Sequence, residues 1–240
     1  MADNQVKTEQ NEANEIIDRA KGFWAKYSKK IVIAGSVIIV LLGGFIGYKY
    51  LVTIPNEKKA NDLIFPAEKL FVAMANSSSY NKDTVNMVLN GDKAAGVTGL
   101  LKIAGSYGGT KSGNRAQYII GACYLNLKQY DKAIEHLKDF DANGASQIQS
   151  KAYILLGHAY AEQKKTDDAL SYYKKAANIS GLDEAMVTEA IYMAARYAEA
   201  IGKTTDATEL FQRLKDDYPA SSRVISGEVD KYLGSLGALK

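Results

Sequence analysis

Three stretches of this chain repeat one another. The first is Gln117-Tyr118-Ile119-Ile120-Gly121-Ala122-Cys123-Tyr124, followed by Tyr130-Asp131-Lys132-Ala133 and Leu137. The second is Tyr153-Ile154-Leu155-Leu156-Gly157-His158-Ala159-Tyr160, followed by Thr166-Asp167-Asp168-Ala169 and Tyr173. The third is Ile191-Tyr192-Met193-Ala194-Ala195-Arg196-Tyr197-Ala198, followed by Thr204-Thr205-Asp206-Ala207, Phe211 and Pro219. Each pairs two runs of helical period across a short polar turn. The alanines opening the second runs, Ala133, Ala169 and Ala207, are spaced by 36 and 38 residues. Self-similarity at such a period marks an array of helical hairpins, each of which needs a neighbour to cover its apolar face.

The windows resemble the tetratricopeptide repeat, whose period is about 34 residues. Two windows match its pattern at Gly121, Tyr124 and Ala133 and at Gly157, Tyr160 and Ala169. The third departs, with Ala195 and Ala198 for the glycine and tyrosine, but keeps Ala207, Phe211 and Pro219. The resemblance implies an all-α solenoid of antiparallel helical hairpins. Gly121 and Gly157 let paired helices approach where a Cβ would clash, and Tyr124 and Tyr160 fill the space between hairpins. Asp131 and Asp167 stand at the next helix starts, where an acid suits capping and the helix dipole.

The resemblance also implies a concave binding face on the first helix of each hairpin. Its positions fall on Arg115, Tyr118, Ala122 and Asn126, then on Lys151, Ile154, His158 and Glu162, then on Glu189, Tyr192, Arg196 and Glu199. The family's carboxylate-clamp positions hold Tyr118, Ala122, Ile154 and His158, so capture of a free C-terminus there is not expected. Tyr118, Ile154 and Tyr192 suit apolar and aromatic contacts with another polypeptide. The alternative is that these residues pack against the chain's own N-terminal hairpin.

Working outward, residues 57–75 and 97–107 have helical spacing and pair as a degenerate first hairpin, with Pro66 kinking its first helix and an irregular connection over 77–96. Val224, Ile225, Val229, Tyr232, Leu233 and Leu236 predict a final capping helix. From Ile31 to Tyr48 the chain reads IVIAGSVIIVLLGGFIGY, without a charge. With Lys49 snorkelling, residues 30–52 are long enough to span a bilayer, and Pro55 ends the helix. Arg19, Lys21, Lys26, Lys29 and Lys30 outnumber Lys49, Lys58 and Lys59, which places the N-terminus in the cytoplasm. A cleaved signal peptide fits worse, because the preceding segment is long and acidic. Residues 1–29 read as a cytoplasmic tail, either partly disordered or carrying an interfacial helix from Asn14 to Tyr27. The expected organisation is tail 1–29, transmembrane helix 30–52, degenerate hairpin 56–112, three repeats 113–219 and capping helix 220–240.

Chemistry is sparse. Net charge is +3, with no basic block of the kind that binds nucleic acid. The single cysteine, Cys123, leaves no intramolecular disulfide and no cysteine zinc site. The stretch 105–112 has Thr110 before Lys111 where a phosphate loop needs glycine. His136 and His158 lack thiol or carboxylate partners in sequence, and no nucleophile motif occurs. No enzyme activity, cofactor, metal or small-molecule substrate is expected.

The layout of short tail, one membrane helix and degenerate hairpin ahead of the repeats resembles the YfgM family, ancillary subunits of the bacterial Sec translocon. Residues 88–92, 100–104 and 107–114 are similar to Bacteroidota proteins of this layout. The resemblance implies a periplasmic chaperone-like protein in the inner membrane, with Sec translocon subunits, a membrane-anchored prolyl isomerase and secretory polypeptides as partners. Alternatives are a scaffold for another envelope assembly, in division or outer-membrane biogenesis, or a regulator acting through the cytoplasmic tail.

Overall fold

The computed structural model describes residues 2–77 and 80–238. Contacts divide the chain into two compact units, Met1–Pro55 and Asn56–Lys240. The first holds helix α1 (Ala2–Tyr48) and a π-helical turn (Lys49–Thr53). Helix covers the described part of the expected tail, from Ala2 onward, not only residues 14–27. Its apolar stretch is exposed throughout, with Ile39, Val40, Leu41 and Phe45 all open. One helix here is long and apolar enough to cross a membrane.

Pro55 does not end the helix as expected. It is the second residue of α2 (Ile54–Ala75), which runs on directly from the π-helical turn, so helix continues past it. Helix α2 continues through Pro66 and buries Ala60, Ile64, Ala67 and Met74. The connection after it is also more ordered than expected. It contains α3 (Lys82–Asn90) and an antiparallel bridge of β1 (Gly91–Asp92) with β2 (Val97–Thr98). Asn81 caps α3, its side chain accepting from the N–H of Asp83 at 2.8 Å. Val85, Val88 and Leu89 form its buried face. Gly91 and Gly99 permit the bridge, because a Cβ on Gly99 would fall 2.3 Å from the carbonyl carbon of Asn90. Helix α4 (Leu100–Tyr107) packs on α3 and on α5 (Lys111–Asn126).

Three hairpins follow. Helix α5 pairs with α6 (Tyr130–Asp139), α7 (Ser146–Glu162) with α8 (Thr166–Ala177), and α9 (Glu184–Ala200) with α10 (Thr204–Asp217). The small residues sit where helices touch. A Cβ on Gly121 would lie 2.5 Å from Leu137 Cγ, and one on Gly157 2.6 Å from Tyr173 Cε1. Ala133, Ala169, Ala207 and Phe211 are wholly buried, and Tyr124 and Tyr160 nearly so. Pro219 follows α10, where it cannot continue the helix.

The hairpin turns share one geometry. The N–H of Gln129 donates to Tyr124 O, that of Lys165 to Tyr160 O and that of Lys203 to Ala198 O, at 2.9, 3.0 and 2.9 Å. Lys128, Lys164 and Gly202 take the left-handed conformation these C-caps require. Asp131 and Asp167 lie in the first turns of α6 and α8 but do not cap them. Asp131 accepts from Gln163 Nε2 at 2.7 Å, and Asp167 pairs with Lys203 at 2.6 Å. The acids therefore join successive hairpins. Beyond α10 the expected single cap is two helices, α11 (Ser222–Ile225) and α12 (Glu228–Ser235). Gly227, at φ 76°, breaks them apart.

Candidate functional site: a cleft beside the first repeat

The face formed by α2, α5 and the start of α7 contains a cleft of about 670 Å³. Phe71, Val72, Tyr118, Ile119, Phe140 and Ile148 supply apolar walls, and Glu68, Lys111, Arg115 and Asp141 line it as well. The volume is in the range of preformed ligand sites. The Tyr118 and Phe140 rings lie 5.5 Å apart in a tilted pair, and burial pushes the Tyr118 hydroxyl pKa up.

Polar bonds fix the walls. Arg115 Nε donates to Glu68 Oε1 at 2.8 Å, and the Lys111 N–H to Glu57 Oε2 at 2.8 Å, which ties α2 to α5. Asn114 makes a reciprocal pair with Asp141: its Nδ2 donates to Asp141 O at 2.5 Å and its Oδ1 accepts from Asp141 N–H at 2.8 Å. Asp141 Oδ1 accepts from the N–H of Asn143, which is left-handed at φ 49°. The loop after α6 is thus held against α5, and the cleft is preformed.

The groove positions predicted from sequence are distributed unevenly. Arg115 and Tyr118 line the cleft. Ala122 is buried, and Asn126 turns its amide back to Ala122 O at 2.9 Å. Lys151 is exposed, and Ile154 is half-buried against the core. His158 Nδ1 lies 2.7 Å from the Tyr173 hydroxyl, and Glu162 accepts from the Tyr130 hydroxyl at 2.9 Å. In the third repeat the terminal helices engage the positions. Tyr192 donates to Glu228 Oε1 at 2.6 Å, Arg223 reaches Glu189 at 2.6 Å, and Arg196 pairs with Glu199 and lies over the Tyr232 ring. Burial and the bond to Glu228 raise the Tyr192 pKa, and the bond from Tyr192 lowers that of Glu228.

Sequence reasoning missed Phe71, Phe140 and Asn114. Phe71 was visible as one apolar position on a helix. The Asn114–Asp141 pairing left no periodic trace. Cys123 is wholly buried, with its thiol pKa pushed up to about 12 by burial. A thiol so protonated is a packing element and a poor nucleophile.

The chain matches the tetratricopeptide repeat-like domain family over residues 21–182 and a tetratricopeptide repeat over 189–221. It belongs to the tetratricopeptide repeat-like family, whose repeats mediate contacts between proteins. The matched span takes in the apolar part of α1 as well as the first hairpins. No curated protein matches the chain. Among solved structures, the crystal structure of MamA is similar at 16% identity and a TM-score of 0.45, covering 67% of this chain and 87% of that one.

Proposed function

We propose that this protein is a membrane-anchored adaptor that captures other polypeptides on the face formed by α2, α5 and α7. The observation that carries the reading is the preformed apolar cleft around Tyr118, on a family of protein-binding repeats. The anchor reading rests on α1, whose Ile, Val, Leu and Phe side chains between Ile31 and Ile46 are exposed among the described residues; hydrocarbon is the medium such a surface favours. The charge bias around it supports a cytoplasmic N-terminus and a periplasmic repeat unit. Together with the resemblance to the YfgM family, these features favour a chaperone-like accessory of the Sec translocon, with translocon subunits, a membrane-anchored prolyl isomerase and secretory chains as partners.

The test is photo-crosslinking in native membranes from residues placed at Tyr118 and Ile154, with Tyr192, covered by the terminal helices, as the control position. Adducts with translocon subunits or a mixture of secretory chains are expected from Tyr118. A single unrelated envelope component would replace the translocon reading with a scaffold. No adduct from Tyr118 or Ile154 would overturn polypeptide capture on this face.

A further inference from the structure

Helix α1 runs unbroken from Ala2 through the apolar stretch. Its N-terminal part therefore continues the axis of the span and does not lie flat in the interface. That part carries a regularity of its own. Ala13, Ile17, Ala20, Trp24, Tyr27 and Ile31 recur at alternating steps of four and three residues, the heptad spacing of a two-helix seam. Seven charged residues lie between Ala13 and Ile31, and none falls on these positions. Beyond Ile31 every position is apolar, so the spacing carries no information there.

Ile17, Phe23, Trp24 and Ile31 are exposed among the described residues. Lipid headgroups account for the aromatic ring nearest the span and not for the others. At 1.5 Å per residue, Tyr27 stands about 6 Å before Ile31, Trp24 about 10 Å and Ile17 about 21 Å. The headgroup layer on each side of the hydrocarbon is about 5–8 Å deep. Ile17 and Trp24 are thus apolar side chains held in water on one side of a helix, and such a face gains stability by packing on a partner.

We propose that the protein is a parallel homodimer, held by α1 of one copy against α1 of a second along Ile17, Trp24 and Tyr27. This rests on the anchor reading above: a span that fixes which end of α1 faces the cytoplasm leaves two copies parallel. Equal heptad positions then face each other, Ile17 against Ile17 and Trp24 against Trp24. The flanking positions that cross between parallel helices pair Phe23 with Ser28 and Lys30 with Gly35, so no like charges meet there. A second copy also presents the same uncharged seam at the same height in the same membrane. A strict heptad drifts about 20° per repeat on a straight helix, so the seam stays closed through a left-handed winding of the pair.

The experiment oxidises the full chain in isolated membranes, with a cysteine introduced by Ile17→Cys, Trp24→Cys or Gly22→Cys. The native Cys123 is wholly buried, and the unsubstituted chain gives the background. Gly22 is two residues from Trp24, on the opposite side of the helix, and has nothing within 4 Å of an added Cβ. A band at twice the 26.1 kDa of the chain is expected from Ile17→Cys and Trp24→Cys, and only a trace from Gly22→Cys. Adding Ile17→Asp to Trp24→Cys should cut the band about tenfold, because like charges then face each other across the seam, while the thermal transition of the repeats is unchanged. Equal bands from all three cysteines, no band from either seam position, or a seam adduct of another mass would each overturn the homodimer. Alkaline carbonate extraction of the same membranes reads the anchor separately. A chain retained in the membrane without a seam band overturns the dimer alone, and a chain released overturns the anchor and the dimer together. Crosslinks from Tyr118 are independent of both.

Discussion

The guanidinium carbon of Arg223 lies 3.7 Å from the centroid of the Tyr192 ring, while its nitrogens reach Glu189 at 2.6 Å and Glu228 at 3.2 Å. One side chain from the terminal helices thereby engages two first-helix positions of the last repeat. A stacked guanidinium contributes roughly 0.5–1 kcal/mol at a partly exposed site, and the two ion pairs little more. Arg223→Ala should lower the unfolding free energy by about 1 kcal/mol in urea titrations followed by circular dichroism. Arg223→Lys should recover only part, because an ammonium cannot stack and fork at once. Full recovery by lysine would show that charge alone matters there.

Two glycines predict opposite outcomes. Gly121→Ala places a Cβ 2.5 Å from Leu137 Cγ and 3.2 Å from Ala133 O. Overpacking of this kind costs about 1–3 kcal/mol, against a gain of about 1 kcal/mol in helix propensity. Gly105, on the exposed side of α4, has nothing within 4 Å of the same position, so Gly105→Ala should stabilise by about 0.5–1 kcal/mol. Thermal unfolding of the two variants should move in opposite directions. Equal shifts would mean that the α5–α6 contact at Gly121 yields without cost.

The hairpins were legible because close helix contacts constrain residue size: the contact of Gly121 with Leu137 and that of Gly157 with Tyr173 admit small residues only, and they recur. The missed elements lack such a mark. Helix α3 is short, and its buried Val85, Val88 and Leu89 lie in a polar stretch that reads as connection. The fate of the groove positions was illegible for another reason. Tyr118 and Tyr192 look alike in sequence, yet one opens to a cleft and the other lies under Arg223. The difference comes from helices outside the repeats, α2 at one end and α11 with α12 at the other.

Lys164 holds the left-handed position of the α7–α8 turn at φ 60°, where Gly202 stands in the next hairpin. A side chain there is strained, and glycine is free of the penalty. Lys164→Gly should raise stability by about 0.5–1 kcal/mol although it removes an exposed side chain. The urea midpoint should rise with an unchanged slope. A lower midpoint would show that the stem of Lys164 covers apolar surface.

His158 makes stability depend on pH. Burial lowers its pKa from the ordinary value, with Glu162 opposing, and its Nδ1 stays 2.7 Å from the Tyr173 hydroxyl. The folded protein therefore keeps the ring neutral at pH values where the unfolded chain, with a pKa of about 6.5, takes up a proton. As pH falls below about 7 the unfolded state binds more protons than the folded one, and stability declines until the folded ring also protonates. His136, lowered by burial as well, acts in the same direction. The urea midpoint should drop on acidification from about pH 7.5 to about pH 5.5, and His158→Gln should flatten part of that drop while His136 supplies the rest. An identical slope in the variant would show that His158 titrates alike in both states, and that its contact with Tyr173 survives protonation.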